Sequence, residues 1–258
     1  IFVEVDWMRG FSAPSPVALQ MVRDAFSAVP GVLVHNPDLT PGIHLVTEYT
    51  QADAGFPQEL WNLDPWPQFF AAKREFFGTD AERSDPNARN ILEAKRLVYR
   101  YCIFGVLFKG STSGKAEYND GKGGNDFLVT LGDPYWQPRG GNDTLQAGTF
   151  MHELGHTLSL GHGGGDTVNN KPNYFSVMNY IWQSPQENPD PISAYSWKLD
   201  YSHISLASLD ENHLNEVFGM GSPLENGGPV LVPYNGPSNT VRLATMYYPA
   251  GVDWDGNG

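Results

Sequence analysis

Alternation over Ile1 to Asp6, with Val3 and Val5 set against Glu4 and Asp6, has the period of two that a half-buried strand requires. From Pro16 to Phe26 the apolar residues instead recur at helical spacing, with Ser15 as the N-cap and Pro30-Gly31 as the stop. Gly42 to Tyr49 reads as a second strand, Gln68 to Phe77 and Asn87 to Lys95 as helices, and the apolar run Leu97 to Phe108 as a central strand. A Gly-, Asn- and Asp-rich stretch from Lys109 to Asp126 predicts a loop. Phe127 to Leu131 then makes a short strand, and a second loop runs from Gly132 to Asp143. Beyond Gly161 the periodicity fades into glycine, asparagine, proline and tryptophan, and Ile204 to Val217 is the one periodic segment that stands out.

The pattern predicts an α+β fold in a single domain, residues 1–258. Its amino-terminal lobe, 1–162, carries a mixed twisted sheet with helices and ends on a helix bearing the chemistry; its carboxy-terminal lobe, 163–258, is loop-rich. No internal repeat points to a solenoid or propeller. No apolar run reaches 18 residues, so no membrane span is expected. The first residues read as a strand, not a signal peptide, which fits a mature or trimmed form, so secretion is inferred from function and not from an address.

Composition narrows the partners. With 29 acidic against 16 basic residues and a net charge of −13, the chain lacks the basic stripe that phosphate backbones demand, which excludes nucleic acid. Such a surface suits calcium, or simply water. The single cysteine, Cys102, lies within the apolar run and has no partner for a disulfide; it is expected to be a buried, inert thiol.

Chemistry concentrates in Thr149-Phe150-Met151-His152-Glu153-Leu154-Gly155-His156-Thr157-Leu158-Ser159-Leu160-Gly161-His162. Residues four apart share a helix face, so His152 and His156 can offer imidazole nitrogens to one ion. Glu153 is too close to the first ligand to be a convenient ligand itself, yet it is placed to take a proton from a zinc-activated water and pass it to a departing amine. A catalytic zinc needs a third protein ligand and an open position. His162 is the candidate, and because it lies six residues past His156 the chain must leave the helix and turn back, with Gly161 lending freedom to the turn. Asp166 is an alternative third ligand, or a residue that orients a ligand. The other histidines, His35, His44, His203 and His213, show no ligand spacing.

This segment resembles the extended motif of the metzincin zinc metallopeptidases: two histidines and a glutamate on a helix, a glycine turn, and a third histidine. The usual turn glycine falls on Ser159, where a left-handed backbone would cost about 1 kcal/mol. Downstream, Ser176-Val177-Met178-Asn179-Tyr180 is similar to the metzincin methionine turn, and Tyr180 matches the tyrosine of the astacin-like and serralysin-like branches. The resemblance implies a metzincin-like fold, Zn2+ bound by His152, His156 and His162, and Glu153 as general base. It also implies Met178 as an apolar floor and Tyr180 as a donor to the oxyanion. The Lys171-Pro172-Asn173-Tyr174 segment is likewise similar to secreted microbial metallopeptidases.

A secreted, monomeric endopeptidase acting on protein or peptide substrates is therefore expected. The substrate would pair in extended form with a strand edge, either Gly114 to Tyr118 or Phe127 to Leu131. Asn179 to Tyr195, with Ile181, Trp182 and Tyr195, would wall an apolar side-chain pocket. Asp253, Asp255 and Asn257 match the first half of a calcium loop, so Ca2+ is a second expected ion; Asn119-Asp120-Gly121 and Gly140 to Asp143 read more simply as turns. Two rivals stay open. One is a thermolysin-like peptidase whose third ligand is a later glutamate; the other is a calcium-dependent binding or adhesion module with a vestigial site.

Overall fold

The structure is a computed structural model that describes residues 1–8, 13–51, 65–106, 111–117, 124–132, 135–136, 142–185, 197–203, 206–210, 212–220, 230–235, 241–247 and 251–255. The chain divides into two compact units, Ile1–Ser159 and Leu160–Gly258.

The first unit is α+β. Strands β1 (Phe2–Trp7), β2 (Val46–Gln51), β3 (Tyr99–Gly105), β4 (Gly114–Ala116) and β5 (Asp126–Thr130) form one mixed sheet in the order β2-β1-β3-β5-β4. β1 pairs in parallel with β2 and β3, and β3 with β5; β4 alone runs antiparallel, against β5. Parallel neighbours need crossovers, and helices supply them. Between β1 and β2 lie α1 (Pro16–Ser27) and the single turn α2 (Gly31–Val34); between β2 and β3 lie α3 (Trp66–Phe76), α4 (Asp80–Ser84) and α5 (Ala88–Arg96). α1 begins where Ser15 Oγ accepts the Ala18 N–H, as its sequence predicts. α4 rests on a reciprocal capping box between Thr79 and Glu82.

Both sheet faces are covered. Tyr101, Ile103 and Leu128 pack with Met8 against Phe69, Ala72 and Phe77 on one face. At neighbouring positions in each strand the side chains turn to the other face, where Phe104 and Phe127 meet Phe150 of α6 (Asp143–Thr157) with ring centroids 6.2 and 5.1 Å apart. Cys102 faces the same way and is fully buried, and burial pushes its thiol well above the usual range.

Several boundaries differ from expectation. The second strand starts at Val46, not Gly42, and the central strand at Tyr99, because Leu97 and Val98 form an exposed turn. β4 emerges from the stretch expected to be loop, whereas β5 is an interior strand with no free edge.

In the second unit, β6 (Val230–Asn235), β7 (Val241–Tyr247) and β8 (Gly251–Asp253) form an antiparallel sheet that the sequence reading missed. Its core joins Trp182, Met220, Val232, Tyr234, Ala244, Met246, Val252 and Trp254. The described part of the periodic segment from Ile204 to Val217 is irregular chain and turns, and Leu206, Leu209 and Leu214 pack against this core. No helix among the described residues is long and apolar enough to cross a membrane.

Candidate metal centre

Helix α6 starts at Asn142, whose side chain accepts the Leu145 N–H, and its first turn is tied to the start of α1. There Ser15 Oγ donates to Asp143 Oδ1 at 2.5 Å and the Ser15 N–H to Gln146 Oε1 at 2.8 Å. Further along, Leu145, Phe150, Met151 and Leu154 are buried, which fixes the helix against the sheet. Thr157 is held by Arg100 of β3, whose Nε donates to Thr157 Oγ1 at 2.8 Å.

His152 and His156 lie one helical turn apart, as i and i+4 dictate, with Nε2 atoms 3.1 Å apart and rings nearly perpendicular at 4.7 Å. Two imidazole nitrogens at that distance need a proton or a cation between them. Ligands about 2.0–2.1 Å from a tetrahedral zinc stand about 3.3 Å from one another, so the separation fits a shared metal. His162 completes the group: one ligand nitrogen from each of His152, His156 and His162 falls within 4.8 Å of the others.

The turn that delivers His162 works differently from expectation. Ser159 has φ 70°, so serine itself takes the left-handed position. Gly161 serves by its size, since a Cβ there would lie 2.0 Å from the Asp166 carbonyl oxygen. Backbone bonds between Gly161 and Gly164 in both directions, at 2.7 and 2.9 Å, close the loop around His162. Asp166 braces this loop from outside the imidazole group. It pairs with Lys171 Nζ at 2.5 Å and accepts the Val168 N–H, which holds its carboxyl below the usual range.

Glu153 is buried, and burial pushes it up to about 8 against the weaker opposing pull of Lys115 and of the Ala116 N–H that it accepts. Gly114 and Ala116 belong to the sheet-edge strand. Thr130 N–H donates to the Ser113 carbonyl and Glu117 N–H to the Asp126 carbonyl. By antiparallel alternation Gly114 and Ala116 therefore turn their peptide groups away from β5. Glu153 thus lies against the outer edge of β4, which pairs with no further strand among the described residues.

Met178 is fully buried in a turn in which its N–H donates to Ser176 Oγ, and the Asn179 N–H donates to the Ser176 carbonyl. Asn179 Nδ2 donates to the carbonyls of Lys171 and Tyr174, which ties the Lys-Pro-Asn-Tyr segment to the methionine turn. Tyr180 is half exposed, with its ring centroid 4.4 Å from that of His162.

Other expected residues are placed as follows. Trp182 is buried in the core of the second unit with Ile181 packed against it, so neither is a free pocket wall, and Tyr195 lies outside the described residues. Asp253 ends β8 and Asp255 follows it; their carboxylates group with Glu216, a residue that no sequence pattern marks, and Asn257 lies outside the described residues. His203 and His213 pair with Asp200 and Asp210, each three residues earlier.

No known family profile matches the chain, and no curated protein is significantly similar to it.

Proposed function

We propose that the chain is a secreted, monomeric zinc endopeptidase of the metzincin type. The observation that carries this reading is the grouping of three imidazole nitrogens within 4.8 Å, with no competing carboxylate among them, beside a buried glutamate one residue after the first histidine. Its donor set suits zinc: three neutral nitrogens leave one tetrahedral position open. The mixed sheet, the buried Met178 and the nearness of Tyr180 to His162 support the same family reading.

A zinc ion held there supplies Lewis-acid activation of water and of the scissile carbonyl. His152, His156 and His162 hold and orient it. Glu153, one residue after the first ligand, takes a proton from the attacking water as a carboxylate and returns it to the leaving amine. Tyr180 Oη donates to the developing oxyanion. An extended protein or peptide substrate pairs with the outer edge of β4, where the Gly114 peptide groups and the Ala116 carbonyl face away from β5.

Metal analysis joined to casein and peptide-library cleavage tests this reading. Wild type should bind one zinc and cleave. Glu153→Ala should keep zinc and lose turnover by a factor on the order of 10²–10⁴, and His162→Ala should lose the metal. Zinc retained in His162→Ala would favour a thermolysin-like third ligand. No zinc and no cleavage in wild type would leave the second reading, a calcium-dependent adhesion module, for which the Glu216, Asp253 and Asp255 grouping is the relevant observation.

A further inference from the structure

We infer that Gly114 is a positioning residue for Glu153: its bare α carbon is the surface on which the glutamate side chain rests. This inference builds on the peptidase reading above and adds a residue to it. A glycine in a strand interior weakens the strand unless something else occupies the place of its side chain. Here that occupant is identifiable. An ideal Cβ on Gly114 would stand 2.6 Å from Glu153 Oε1 and 2.7 Å from Glu153 Cγ, and 2.8 Å from the Leu128 carbonyl oxygen. Two of the three nearest atoms belong to the glutamate. One of them is Cγ, close to the helix backbone, so swinging the carboxylate tip aside does not relieve the overlap.

Conformation does not explain the glycine. Gly114 is absent from the residues with positive φ, so any L-residue could adopt its backbone. The need is for space. Two residues on, the Ala116 N–H donates to the Glu153 carboxylate. Gly114 and Ala116 are buried and share one face of β4, with Lys115 exposed on the other. The strand therefore fixes the glutamate at two points, with a contact at Gly114 Cα and a hydrogen bond at Ala116 N.

Gly114→Ala pushes the carboxylate off this seat without touching a metal ligand. The test compares wild type, Gly114→Ala, Glu153→Ala and the double variant for zinc content, kcat and KM on a peptide chosen from the library, and melting temperature. Gly114→Ala should bind zinc as wild type does, with KM little changed and kcat lower by about 100-fold, the scale of an ångström-sized misplacement. It should also lower the melting temperature, and do so by a smaller amount in the Glu153→Ala background, where two of the three overlapping atoms are gone and only the Leu128 carbonyl remains. If Gly114→Ala fails to fold, recovery of folding in the double variant supports the inference, and failure of both overturns it. An unchanged kcat in Gly114→Ala, a kcat loss that tracks zinc loss, or an equal melting cost in both backgrounds also overturns it. Absence of zinc and cleavage in wild type would instead sink the peptidase reading, while the melting comparison still decides whether Gly114 seats Glu153.

Discussion

Two parts of the first unit bury carboxylates, and they treat them in opposite ways. On the sheet face that packs against α3 and α5, every buried acid has a partner. Lys95 Nζ lies 2.8 Å from Glu4, and the Gly78 N–H donates to the same carboxylate. Lys73 reaches both oxygens of Asp126 at 2.7 Å, and the Tyr101 hydroxyl donates to Asp6. Burial works against the Lys95 charge, but its bonds to Glu4 and Glu82 outweigh that and raise its pKa. Around the motif's glutamate and histidines compensation is thinner, although Glu153 accepts the Ala116 N–H. Glu153 has no ion pair among the described residues, His152 and His156 point nitrogens at each other, and Ser159 is left-handed. Buried charge is neutralised on the sheet face and left for a cation to neutralise at the proposed metal centre.

Removing the compensation on the sheet face should have the largest effect on stability. Lys95→Met leaves Glu4 buried without a cation and should cost about 3–5 kcal/mol in urea unfolding. A cost below about 1 kcal/mol would mean that the pair is solvated and the contrast false. Zinc is the matching intervention on the motif side. At a thousandfold excess over its dissociation constant it should stabilise the protein by about 4 kcal/mol, read as a rise in melting temperature that His162→Ala abolishes.

Much of this contrast is legible in the sequence, and the reason is range. His152, Glu153 and His156 are set by one helical turn, and Ser15 caps α1 from three residues away, so spacing alone predicts both. β1 and β5 follow from alternation and from an apolar run between turns. What escapes reading depends on partners distant in the chain. Gly114 to Tyr118 is legible only as one of two candidate edges, because β4 is three residues long and becomes a strand only by pairing with β5, and nothing near Gly114 announces a glutamate on α6. β6 contains Pro233, which argues against an interior strand; among the described residues β6 pairs with β7 alone, and proline is tolerated at a sheet's edge. The periodicity of Ile204 to Val217 does reach structure, since Leu206, Leu209 and Leu214 pack against the core of the second unit, but as irregular chain and turns.

The acid left without a cation gives a pH-dependent prediction. Glu153 has its folded-state pKa raised to about 8 by burial, so the folded protein binds this proton more tightly than the unfolded chain does. In the metal-free protein its contribution should therefore weaken stability as pH rises from the ordinary glutamate value through about 8. Glu153→Gln cannot ionise and can still accept the Ala116 N–H. At pH 9 it should be more stable than the metal-free wild type by about 2–4 kcal/mol, with the gap closing toward pH 4. Zinc should shrink that gap by supplying the missing positive charge. Parallel pH profiles for the two metal-free proteins would place Glu153 in solvent.

The smallest effect concerns the exit from α6. At φ 70° the Cβ of Ser159 meets the crowding that makes left-handed backbone unfavourable for L-residues, and glycine lacks it. Ser159→Gly relieves that strain in the folded state, while the added freedom of glycine in the unfolded chain takes part of the gain back. The balance should be a stabilisation of about 0.5–1 kcal/mol in urea unfolding, with zinc affinity unchanged because His162 stays in its Gly161–Gly164 loop. The sign carries the information. A loss of stability would mean that the serine side chain makes a contact worth more than the strain, and the motif would then be better compensated at its end than Glu153 is at its centre.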